Sequence, residues 1–111
     1  MTGANATGST ATTEHIEKPQ IRKLLDLSIV HLPEQYSSEP LTGAPGVTAY
    51  EMIYGWLMWV PDDPNESSAN GDEPVPNEIL LIQLYARLYD CDYVLFDRGA
   101  EINADLPTYA W

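Results

Sequence analysis

The sequence predicts an α+β domain in which a four-stranded, mostly antiparallel sheet carries one main helix on one face. Three observations lead there. An alternating segment before Pro33 reads as a strand, and residues 47–61 hold two apolar, aromatic runs around a single turn signal. A helical apolar pattern over 77–88 is then followed by a strand-like run at 92–97.

The first residues, MTGANATGSTATTEHIE, mix Thr, Gly and Ala with one large apolar residue, Ile16. Nothing there can be buried, so residues 1–20 are expected to be a flexible tail and 21–111 a single domain. Within Leu24–Leu32, Leu25, Leu27, Ile29 and His31 alternate with Leu24, Asp26, Ser28, Val30 and Leu32, which predicts a strand closed by Pro33. The following PEQYSSEPLTGAPG is rich in turn residues and predicts mostly loop, with room for one helical turn at Glu34–Ser38.

In VTAYEMIYGWLMWVP the turn signal is Tyr54-Gly55. A hairpin there would set Ile53 opposite Trp56, Met52 opposite Leu57, Glu51 opposite Met58 and Tyr50 opposite Trp59. One continuous strand with a Gly bulge is the competing reading, and fifteen residues is long for it. The next stretch, PDDPNESSANGDEPVPNE, holds four prolines and predicts a surface loop over 61–77 without a regular element.

Asn77 is a suitable N-cap and Glu78 suits a first helical turn. Ile79, Ile82 and Ala86 then lie beside Leu81, Leu84, Tyr85 and Leu88 on a broad apolar face. The helix is expected to end near Asp90-Cys91, and Asp92–Asp97 reads as a buried strand stopped by Arg98-Gly99. The closing INADLPTYAW is expected to pack Leu106, Tyr109 and Trp111 back onto the domain. One helix cannot cover Tyr50, Tyr54, Trp56 and Trp59 together, so either loops cover the remainder or an aromatic patch is open to a partner or a second copy.

Charge is the strongest functional signal. Seventeen Asp and Glu face five Lys and Arg, for a formal net charge of -12 and a pI near 4.1. Such a field steers the protein toward basic surfaces and away from nucleic acid and anionic membrane. The five bases, Lys18, Arg22, Lys23, Arg87 and Arg98, are scattered, so no direct nucleic-acid partner is expected. Between Leu24 and Ala86, 63 residues contain no base and ten acids: Asp26, Glu34, Glu39, Glu51, Asp62, Asp63, Glu66, Asp72, Glu73 and Glu78. An ordinary acidic surface that aids solubility is the plain explanation. The functional one is imitation of the phosphates of a nucleic acid, whose duplex carries roughly one charge per 1.7 Å of axis.

Other sites fare worse. Asp62 as the first position of a calcium loop would put Ser67 where a Gly is required, although Glu73 falls at the twelfth. His31 and Asp97 would meet if their strands were parallel neighbours, yet nothing supplies a nucleophile or metal, and a structural histidine is the commoner case. His15 lies in the tail. Cys91, the only cysteine, sits between Asp90 and Asp92, which disfavour its thiolate; no intrachain disulfide and no Cys-based zinc site can form. No P-loop, Rossmann glycine pattern, nucleophile elbow or HExxH is present, so no enzyme activity, cofactor or metal is expected. No apolar run approaches the roughly 18 residues of a membrane span and no secretory signal opens the chain, so a cytoplasmic location is expected.

The segments LDLSIVHLPE, YGWLMWVPDDP, YARLYDCDYVLFDRGAE and LPTYAW together resemble an uncharacterised family of short acidic bacterial proteins from plasmids, phages and other mobile elements. The resemblance spans about residues 25–111 and weakens after LPE, where QYSSEPLTGAPG looks less helical than its counterparts. It implies genomic context, not chemistry. Mobile elements encode small acidic proteins that block restriction or CRISPR enzymes, several of them as nucleic-acid mimics. The expected function is therefore anti-defence inhibition of a host protein or ribonucleoprotein complex with a basic nucleic-acid-binding surface. Partner-binding residues would be Asp62, Asp63, Glu66, Asp72, Glu73 and Glu51, with Trp56, Trp59 and Tyr54 as anchors. The alternative is an accessory interaction module, a homodimer through its exposed sheet face, with no inhibitory role.

Overall fold

The computed structural model describes residues 18–111. The tail expectation and His15 therefore lie outside the described residues, apart from 18–20, which are exposed and irregular. Four strands form one sheet: β1 (Lys23–Ser28), β2 (Ala49–Met52), β3 (Gly55–Trp59) and β4 (Cys91–Asp97). Their order is β1-β4-β3-β2, with β1 parallel to β4 and both other pairings antiparallel.

The first strand is shorter than the alternation predicts. The Ser28 hydroxyl accepts the Val30 N–H at 3.4 Å and caps a 3₁₀ turn over Ile29–His31, so a local side-chain bond displaces the ladder. Burial no longer alternates there, because Leu27, Ser28, Ile29, His31 and Leu32 are all buried. Two further 3₁₀ turns, Glu34–Ser37 and Leu41–Gly43, follow Pro33 and Pro40, whose fixed φ starts each turn. They bury Tyr36 and Leu41.

The hairpin exists, with its turn one residue earlier than predicted. Ile53 and Tyr54 form the turn, Met52 faces Gly55, Glu51 faces Trp56, Tyr50 faces Leu57 and Ala49 faces Met58. Neither turn residue has a positive φ. Gly55 is needed for closeness, since a Cβ there would overlap the Phe96 carbonyl of β4. The glycine read as a turn residue is in fact a strand-contact residue. The correction moves each partner along β3 by two positions, so every side chain keeps its face.

The 61–77 segment is also corrected, because it holds a short helix, α1 (Pro64–Asn70). Asp63 caps it by accepting the Glu66 N–H at 3.1 Å, and Pro64 stands at its first position, where a missing N–H costs nothing. The Val75 N–H donates to the Ser68 hydroxyl at 2.9 Å and ties the chain back onto α1. The main helix, α2 (Asn77–Leu88), begins at Asn77, so Asn77 is its first residue, preceded by Pro76 without a side-chain cap. Both helices pack together, and α2 lies on β4.

The core is the layer between α2 and one sheet face, where Leu27, Met58, Val94 and Phe96 meet Ile79, Ile82 and Ala86. The C-terminal segment closes it, as expected for Leu106, which is buried. Tyr109 N–H donates to the Val30 carbonyl at 2.8 Å and Trp111 Nε1 to the Leu32 carbonyl at 2.7 Å. No helix among the described residues is long and apolar enough to cross a membrane.

Candidate partner-binding surfaces

Two surfaces stand out, one acidic and one apolar. The acidic one is built on the α1 segment. Pro61, Pro64, Ser68 and Val75 are buried and anchor it, while Asp62, Asp63, Glu66, Asp72 and Glu73 are all exposed. Its base is held by Arg87 of α2, whose Nε donates to the Pro61 carbonyl at 2.8 Å and whose Nη2 donates to Asp92 at 2.8 Å and to the Val60 carbonyl at 2.6 Å.

Arg87 also approaches Asp62 at 3.8 Å, but the Asp62 side chain is fully exposed, so that pair adds little. Among the described residues no other ion pair reaches the five carboxylates. Asp92 takes most of the Arg87 charge and a second contact from Arg22 at 3.5 Å. Asp72 and Glu73 border a shallow groove with Pro45 and Gly46. Gly46, at φ 68, tucks in where a Cβ would press on Val75, so the 45–46 turn and the 72–75 segment abut.

The apolar surface is the sheet face turned away from α2. Residues opposite one another across the ladders share a face. Tyr50, Leu57 and Leu95 form one row with Asp26, and Trp59, Tyr93 and Leu24 form the next. Leu24, Tyr50, Met52 and Trp59 are exposed on this side, Tyr50 by 54 %. At the hairpin tip, Ile53 and Tyr54 stand out into solvent and border an apolar groove of about 190 Å³ with Leu95 and Asp97.

The aromatic residues expected to act together are therefore split. Trp59 belongs to the open face and Tyr54 to the hairpin tip, whereas Trp56 is opposite Phe96 on the other face and packs partly buried against the core. Glu51 is exposed on the edge strand but shares the side of Trp56. Leu57, Tyr93 and Leu95 are additions that the single-strand patterns do not reveal, because their common face is set by the pairing of β3 with β4. The outer side of α2 is a second apolar area, lined by Leu81, Leu84, Tyr85 and Leu88, and the predicted broad face is fully buried only along Ile79, Ile82, Gln83 and Ala86.

His31 and Asp97 do not meet. β1 and β4 are parallel neighbours, but Ser28 is opposite Asp97 and His31 lies three residues beyond it in the 3₁₀ turn. The imidazole is buried and bonded on both sides, Nδ1 to the Pro107 carbonyl at 2.8 Å and Nε2 to the Asn103 N–H at 2.9 Å. The second bond requires an acceptor at Nε2, so Nδ1 carries the proton. His31 is a staple for the C-terminal segment. Asp97 instead accepts the Gly99 N–H at 2.9 Å. Cys91 is buried at the start of β4.

The chain belongs to a family of unknown function: residues 10–111 match the model described as the C-terminal domain of that family, DUF5983. Neither the comparison with curated proteins nor that with solved structures finds a match.

Proposed function

We propose that this domain is a protein-binding inhibitor that occupies a basic, nucleic-acid-handling surface with the carboxylates of its 62–73 segment. The observation that carries the reading is the presentation of Asp62, Asp63, Glu66, Asp72 and Glu73 on and around a short anchored helix, all exposed and, among the described residues, with a single ion pair, that of Asp62 with Arg87. Five carboxylates fall within the twelve residues 62–73, a local density of negative charge of the kind a basic surface meets in a phosphate backbone. The class of target that fits is a CRISPR effector or a restriction enzyme in a bacterial host, which agrees with the resemblance to proteins of mobile elements.

The test is inhibition in solution. Purified protein is added to DNA cleavage reactions by a panel of restriction nucleases and CRISPR effectors at rising salt. Inhibition of at least one enzyme, weakening as salt rises and absent in a variant with all five acids changed to Lys, supports the reading. Inhibition indifferent to salt and to charge reversal removes it.

A second reading rests on a separate observation, the uncovered face with Tyr50, Leu57, Trp59, Tyr93 and Leu95. In it the domain is an accessory module that forms a homodimer through this face and inhibits nothing. Light scattering that gives a dimer for the natural chain and a monomer for Trp59→Glu favours this alternative; a monomer at micromolar concentration counts against it.

A further inference from the structure

The two-residue turn at Ile53 and Tyr54 fixes which backbone groups of β2 are used. In an antiparallel pair, hydrogen-bonded positions alternate with unbonded ones, so Met52 and Tyr50 bond across to Gly55 and Leu57. The Trp59 N–H donates to the Thr48 carbonyl at 2.9 Å and continues the same alternation. The N–H and C=O of Ala49 and of Glu51 therefore point away from β3. Among the described residues none of these four groups has a partner. β2 is an end strand of the sheet, so nothing on its far side takes up the ladder.

The side chains along this edge are sorted by face. Tyr50 and Met52 are exposed on the open apolar side, and Glu51 is exposed on the other. The 3₁₀ turn Leu41–Gly43 packs on β2, and the chain leading to it brings Glu34 and Glu39 but no base. Arg98 lines a groove with Glu51 but makes no ion pair with it among the described residues.

From this geometry we infer that the free edge of β2 accepts an extended segment of a basic partner protein as a fifth strand, with apolar residues alternating with Lys or Arg. Its backbone would take the open N–H and C=O groups of Ala49 and Glu51. Its apolar residues would extend the Tyr50 and Met52 row, and its bases would stand beside Glu51. A second copy fits badly. Two-fold pairing of β2 with itself would bring two Glu51 side chains together between chains that each carry a formal charge of -12. The other sheet edge, β1, offers Lys23 and Asp26, with Arg22 just before it, and so has no single sign to complement. The inference goes beyond the 62–73 surface and stands or falls separately from it.

The test uses the full chain and an eight-residue peptide of alternating Lys and Val, with an alternating Glu and Val peptide as control. Calorimetry measures affinity, and amide hydrogen exchange locates the site. The Lys peptide should bind in the micromolar range and slow exchange at Ala49 and Glu51, while the Glu peptide should not. Glu51→Pro, which removes an outward N–H at a sheet edge where proline is tolerated, should weaken binding at least tenfold. Glu51→Lys keeps the backbone intact and should shift the preference toward the Glu peptide. Undiminished Lys-peptide binding by both variants, protection on β1 or α1 in place of β2, or absence of binding would each overturn the inference.

Discussion

Arg87 is the first base after 63 residues without one, and its guanidinium is used for structure. It joins the end of β3 to β4 from α2, and through Pro61 it fixes where the acidic segment starts. The same contact holds the Asp92 carboxyl below its ordinary value of 3.8, by the Arg87 hydrogen bond first, with burial opposing and the charges of Arg87 and Arg22 adding. A carboxyl whose pKa is depressed in the folded state stabilises the fold above its unfolded value, and that stabilisation is lost as pH falls through the folded value. The stability gap between the natural chain and Asp92→Asn should accordingly be constant at neutral pH and close once the pH drops below about 4, measured by urea unfolding. Taking the difference removes the opposing effect of acid, which relieves the self-repulsion of so acidic a chain. A second residue works against stability. Gln83 is buried on the inner side of α2 with Nε2 beside Met58 Sδ at 3.9 Å and Oε1 without a partner. Turning the amide over leaves the other atom unpaired, so Gln83→Leu should raise stability by about 1 kcal/mol or more, read as a higher urea midpoint with an unchanged slope.

At the level of elements, the hairpin and α1 separate what the residues disclose from what they conceal. The apolar runs around Tyr54-Gly55 reveal two strands, and their parity reveals which residues share a face. The turn position is hidden, because glycine serves both turns and close backbone approach, and only β4 distinguishes the two uses. Gly55→Ala should cost about 1–3 kcal/mol as β3 and β4 are forced apart, seen as a lower urea midpoint. A glycine that served merely as a turn residue would tolerate alanine far better at the negative φ found here. Similarly, the prolines of 61–77 read as loop, whereas two of them, Pro61 and Pro64, are buried and one opens a helix. Asp63 makes the difference testable. Asp63→Ala should lose about 1 kcal/mol with the N-cap, while Asp63→Asn keeps the cap and removes only a charge. If Asp63→Asn stays as stable as the natural chain yet inhibits less, the carboxylate acts through its charge.

Across the whole molecule, the individual strands, the main helix and the acid-rich segment are legible in the sequence, since each is a run of adjacent residues. An open aromatic face is foreseeable as one of two outcomes, but its membership is not. It is assembled from Leu24, Tyr50, Leu57, Trp59, Tyr93 and Leu95 on four strands, and pairing of strands distant in sequence decides its membership. The molecule that results is two-sided: an α2-covered core side that carries the anchored acids, and an uncovered apolar side that ends at the free edge of β2. The central claim, that the 62–73 carboxylates act on a defence complex, is tested most directly by phage plating. Bacterial hosts carrying restriction or CRISPR systems would express either the natural chain or the variant with Asp62, Asp63, Glu66, Asp72 and Glu73 changed to Lys. Far more plaques with the natural chain than with the equally abundant, folded variant is the predicted result. Equal plaque numbers for the two chains across the defended hosts would contradict it.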